Sequence, residues 1–166
     1  MGQHGAAGLE QKGREVTFLL EDRYQDENLP EGITKEARDL LIFLHLVHEL
    51  TEWRLTESTE TISPNFNREL VAIVAQAMAY YALTEGEREE VLEAARLFDE
   101  QEQGFDDRYG PVLDLFNQFD KETILAEENR EKLRDFIDRY HDFDKNDYDA
   151  EKVEEYFKEM QEQMVS

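Results

Sequence analysis

In 166 residues the chain carries 41 acidic and 18 basic side chains, a formal net charge of −23. That field excludes direct binding to nucleic acid or to an anionic membrane surface, both of which rest on clustered Lys and Arg. No cysteine is present, so disulfides, thiolate metal sites and cysteine nucleophiles are excluded and a reducing cytosol is expected. With 40 % apolar and 11 % aromatic residues, the chain is too hydrophobic to be disordered and long enough to bury a core of its own.

Residues 1–14 open with the Gly/Ala-rich MGQHGAAG and read as a flexible tail, with no positive cluster and apolar run of a secretory signal. A single α-helical domain is expected over 15–166. Val16 to Tyr24 is expected to form a short helix, with a strand as the alternative for so short a run. Leu29-Pro30-Glu31-Gly32 breaks the chain, and Thr34 is placed to cap a long helix reaching about Thr56. In that helix Leu40, Phe43, Leu44, Val47 and Leu50 form one apolar arc, edged by Ile42, Leu46 and Trp53, and the arc is expected to face the core.

Ser63-Pro64 predicts the start of the next helix. From Leu70 to Leu83 only Gln76 interrupts its apolar run, which marks a central buried helix too short to span a bilayer. Thr84-x-x-Glu87 is a capping-box pattern opening a helix that stops at Gly104. Pro111 suits the first turn of a short helix ending near Phe119, and Asp120 or Thr123 begins another through Leu133, Phe136, Ile137 and Tyr140. Val153, Tyr156, Phe157, Met160 and Met164 then repeat at helical spacing. The expected fold is all-α, a compact bundle of six or seven helices with no significant sheet. Its second half is the more acidic: residues 84–166 hold 27 acids and 11 bases, residues 1–83 hold 14 and 7. Asp-Arg-Tyr occurs three times, at unequal intervals that imply no repeat architecture.

Two constellations could hold a metal. His45-x-x-His48-Glu49-x-x-Glu52 places two imidazoles and two carboxylates in one wedge of the long helix, opposite the apolar arc. Metal chemistry there predicts that His45, His48 and a third ligand from another helix converge; otherwise the four form a solvated face of i,i+4 pairs, or a pH-responsive contact. The loop Asp142-Phe-Asp144-Lys-Asn146 resembles the opening of an EF-hand, but Asp147 stands where glycine is needed and Val153 where the closing glutamate is needed. Weak divalent-cation attraction follows from its charge, and Asp147 or Asp149 is placed to cap the last helix. Otherwise no cofactor is expected.

No Gly-x-Ser-x-Gly elbow, phosphate-binding loop or Gly-x-Gly-x-x-Gly turn occurs, so no enzymatic activity is expected. The expectation is a non-catalytic acidic protein working through protein–protein contacts, an assembly, adaptor or accessory subunit, cytoplasmic or virion-associated. Its expected partners are basic proteins, with a homo-oligomer allowed. Candidate contact residues are the small face Ala72, Ala75, Ala79 and Ala82, and the aromatics Tyr109, Phe116 and Phe119. The alternatives are a nucleic-acid mimic that fills the basic groove of a DNA- or RNA-binding protein, a helical metal-binding protein, and a halophilic or viral origin of the charge.

Overall fold

The computed structural model describes residues 25–55, 65–101, 109–140, 143 and 145–165, with 8–12 and 15–19 as backbone only. Six helices form the bundle: α1 (Lys35–Leu55), α2 (Phe66–Tyr81), α3 (Glu85–Gln101), α4 (Tyr109–Phe116), α5 (Glu127–Tyr140) and α6 (Ala150–Val165). The all-α expectation holds. Ahead of the bundle a two-stranded antiparallel ribbon, β1 (Gly8–Lys12) and β2 (Glu15–Leu19), pairs Gly8 with Leu19 and Lys12 with Glu15, and β1 lies against α1. Over Val16–Leu19 the strand alternative holds in place of the helix, residues 20–24 lie outside the described residues, and β1 takes up part of the expected tail. Val16-Thr17-Phe18 is β-branched and aromatic, a composition that favours a strand.

The helix starts follow local chemistry. Gly32 takes φ of +94°, which only glycine adopts without strain, and turns the chain into α1. Thr34 Oγ1 then accepts from Ala37 N at 3.1 Å. At α2 the cap is Asn65, whose side chain accepts from the Asn67 and Arg68 amides, so the helix starts just beyond the expected Ser-Pro pair. Thr84 and Glu87 close the capping box in both directions, at 2.9 and 3.2 Å. Asp149 Oδ1 accepts from the amides of Glu151 and Lys152 to cap α6.

Helix α2 is the axis of the bundle, buried without a break from Phe66 to Val74 and packed on α1, α4, α5 and α6. One apolar cluster draws on all six helices, from Leu41 and Leu44 through Val71, Phe98 and Phe116 to Leu133, Ile137 and Val153. The hydroxyls of Tyr80 and Tyr81 donate to Asn117 Oδ1 and the Phe116 carbonyl, fastening the end of α2 to the end of α4. Asn67 does the same at the other end of α2, donating to the Asp147 carbonyl and accepting from Asp149 N. Between α5 and α6, Arg130 pairs with Glu154 and lies over the Phe157 ring.

The orientation of α1 differs from the expectation. Its buried stripe is Ala37, Leu41, Leu44, His48, Thr51 and Leu55, while Phe43 is 46 % and Leu50 38 % exposed. The apolar arc straddles the surface, with Leu44 buried at one edge, Leu40 and Val47 half-buried and Phe43 and Leu50 exposed at the other edge, and the wedge expected in solvent turns partly inward. A helix packs on whatever stripe fits its neighbour; here α2 offers Glu69 and Gln76 for His48, and a polar position joins the core.

Candidate functional site

The site grows from that inward turn. His48 enters the α1–α2 interface with 8 % of its surface exposed. Opposite it, α2 presents Glu69 and Gln76, seven residues apart and therefore on one helix face, and both buried. His48 Nε2 lies 3.1 Å from Glu69 Oε1 and 3.8 Å from Glu52 Oε2, while its Nδ1 lies 3.3 Å from Gln76 Oε1. Glu49 joins from the next position: His48, Glu49 and Glu52 each bring one ligand atom to within 4.8 Å of the others.

His45 leads away from this centre. Its Nε2 is 3.7 Å from Glu49 Oε1, and its Nδ1 shares a 3.1 Å hydrogen bond with the Tyr109 hydroxyl, the two rings meeting edge to face. Tyr109 is itself held by Asp99, a buried carboxylate at the end of α3. Asp99 accepts from the amides of Tyr109 at 3.0 Å and Gly110 at 2.7 Å, and so satisfies the first orphan donors of α4. A Cβ on residue 110 would stand 2.8 Å from Asp99 Oδ2, which explains glycine there. The result is a continuous polar path: Tyr109, His45, Glu49, then Glu52 and His48, then Glu69.

Electrostatics bind protons into this path. Burial alone would push the His48 imidazole down, but the carboxylate of Glu69, with Glu52 and Glu49 behind it, outweighs burial and raises it to about 10. Glu52 is pushed up to about 9, first by burial and then by the neighbouring Glu69 charge, with His48 pulling the other way. At neutral pH the centre therefore holds an imidazolium and a neutral carboxylic acid beside charged carboxylate.

The i,i+4 pairs expected from the sequence are present, His45 with Glu49 and His48 with Glu52, but on a largely buried face. Of the four proposed ligands, His48, Glu49 and Glu52 converge and His45 turns instead to Tyr109. Glu69 and Gln76 were not singled out, although Gln76 is the one polar break in the Leu70–Leu83 run and Glu69 stands two turns before it. Asp142 and Asp144 lie outside the described residues, and Asn146 is exposed in a single 3-10 turn, Lys145–Asp147.

The expected contact residues divide. Tyr109, Phe116 and Phe119 are buried members of the core, so they front no partner. Aromatic residues fill cores as readily as interfaces, and α4 is short and apolar enough to be buried on most sides. Ala72 is fully buried, Ala75 and Ala79 partly, and Ala82 is exposed, so the small face runs from the interior to the surface. Among the described residues Phe43, Leu50, Met78 and Leu125 are the large apolar side chains left exposed, and Phe43 and Leu50 stand two turns apart on α1 with the half-buried Leu40 and Val47 beside them. Among the described residues no helix is long and apolar enough to cross a membrane. No protein-family model matches the chain, and no curated protein or solved structure matches it.

Proposed function

We propose that the protein is a non-catalytic assembly or adaptor subunit that docks a basic partner along the outward face of α1. The observation that supports this reading is the exposed pair Phe43 and Leu50, at 46 % and 38 %, on a helix whose opposite side is already packed in the bundle. Large apolar side chains held two turns apart in solvent suit the helix-in-groove mode of recognition. The charge selects the occupant. A second copy would bring another −23 against this one, whereas a chain with an apolar ridge flanked by Lys and Arg gains from the field and from the stripe together.

Calorimetric titration with a synthetic amphipathic Leu/Lys helical peptide tests this. Burial of each large apolar side chain is worth about 1.5–3 kcal/mol. The Phe43→Ser, Leu50→Ser double variant is therefore expected to bind at least about tenfold more weakly, since about 1.4 kcal/mol is a factor of ten. Unchanged affinity in the double variant, with binding abolished by moderate salt, would overturn the docking role of α1. That result would point to charge alone, as a nucleic-acid mimic would use it.

A further inference from the structure

We propose that His48, Glu49 and Glu52 of α1, closed by Glu69 of α2, form a binding site for a single divalent transition-metal ion, with zinc as the best-matched member of the class. The site is separate from the outward face of α1 and does not depend on the docking reading.

Three observations carry it. First, the donors come from two helices: Glu69 Oε1 is 3.1 Å and Glu52 Oε2 3.8 Å from His48 Nε2, and His48, Glu49 and Glu52 bring one ligand atom each to within 4.8 Å of one another. Ligand atoms bound at about 2.0–2.2 Å to one zinc ion lie a little over 3 Å apart, so Glu69 and His48 already stand at ligand spacing, and Glu49 and Glu52 close in on the ion from the wider cluster. Second, Gln76 Oε1 at 3.3 Å from Nδ1 accepts a hydrogen bond from that nitrogen, which in the neutral ring leaves the Nε2 lone pair facing the carboxylates. An amide or carboxylate that fixes the far nitrogen of a ligating imidazole is the usual outer support of a metal site. Third, the Glu69 side chain is 6 % and the His48 side chain 11 % exposed, so these electron-rich atoms face one another away from bulk water and need positive charge between them.

Protons or a cation can supply that charge. With the imidazole neutral and the three carboxylates ionised, the centre carries −3, and one divalent ion reduces this to −1. Imidazole and carboxylate ligands bind an ion in their deprotonated forms, so metal binding at such a set releases protons. The donor set also selects the ion. One imidazole with carboxylates suits zinc, manganese or ferrous iron, whereas calcium and magnesium favour sites built from oxygen alone.

The test uses the full chain after chelation and dialysis. Zinc chloride is titrated calorimetrically at two pH values, with melting followed in parallel, and cobalt chloride is added separately to read ligand-field bands. The expected result is one ion per chain, a raised melting temperature, proton release that varies with buffer ionisation enthalpy, and no comparable response to calcium or magnesium. Glu52→Gln and Glu49→Gln, which keep side-chain shape, are each expected to weaken zinc binding at least about tenfold. The control pair Asp142→Asn, Asp144→Asn is expected to bind zinc as the parent does. Loss of binding in that control, or equal affinity in Glu52→Gln and the parent, would assign zinc to carboxylates other than those of the α1–α2 centre and overturn the site. So would the absence of any zinc response.

Discussion

The buried centre ties the stability of the metal-free protein to pH in a direction opposite to ordinary acid denaturation. His48 is held up to about 10 and Glu52 to about 9 in the folded chain, against ordinary values of about 6.5 and 4.3 in the unfolded one. For His48 the stabilisation is complete below its unfolded value and is lost as pH rises through its folded value. For Glu52 the raised value means that the folded chain keeps a proton which the unfolded chain sheds from about pH 4.3 upward, so this contribution also falls with rising pH. From about pH 6.5 to 9 the folded state holds up to two protons more than the unfolded state, and each contributes a slope of about −1.4 kcal/mol per pH unit. Because the two groups share Glu69 and each other's field, their sum is the upper limit, and between pH 7 and 8 the loss is about 1–3 kcal/mol. Urea unfolding followed by circular dichroism with a chelator present, in enough salt to screen the surface charge, measures it directly. In Glu52→Gln one titrating group is gone and the slope is expected to drop by about one proton's worth. A stability that is flat or rising across pH 6.5–8.5, or an unchanged slope in Glu52→Gln, would refute the reasoning.

Two further predictions address the orientation of α1 and the seating of α4. Leu44 is fully buried and Phe43 half exposed on the same helix, so Leu44→Ala is expected to cost about 2–5 kcal/mol and Phe43→Ser less than about 1 kcal/mol, by urea unfolding. Comparable losses would return the apolar arc to the core. Gly110→Ala is expected to destabilise by about 0.5–2 kcal/mol by pushing Asp99 off the α4 amides, and to have no such cost in an Asp99→Ala background. A penalty that persists there would assign it to something other than the cap.

What could be read in the sequence was mostly local. Thr34, the Thr84–Glu87 box and Asp149 announce their helix starts because a capping side chain bonds amides two or three residues away, and nothing distant is needed. The central position of α2 was legible because a helix apolar on every side has to be surrounded. The facing of α1 was not. Its buried stripe includes His48 and Thr51, and periodicity reads such polar positions as solvent-facing, while the more hydrophobic arc of Leu40, Phe43, Leu44, Val47 and Leu50 shares only Leu44 with that stripe. Only the partner helix decides between the two, through Glu69 and Gln76. The same reason hid part of the site. The two histidines and two glutamates of α1 were visible as a motif, but the residues that turn it into a centre come from α2. For Val16–Leu19 the sequence left helix and strand both open, because alternation over five residues is too short to decide, and the pairing strand Gly8–Lys12 was hidden in a stretch read as a tail.

The imidazole spectrum of the histidines tests the central claim, that His48 lies in a shared carboxylate centre between α1 and α2. Long-range proton–nitrogen correlation on ring-labelled protein follows each ring through pH without a chelator-dependent assay. In metal-free protein His48 is predicted to remain an imidazolium at pH 8, and on addition of zinc to lose the Nε2 proton while Nδ1 keeps its proton on Gln76. A His48 ring that titrates with an ordinary midpoint near 6.5 and ignores zinc would place it on a solvated helix face and contradict the account.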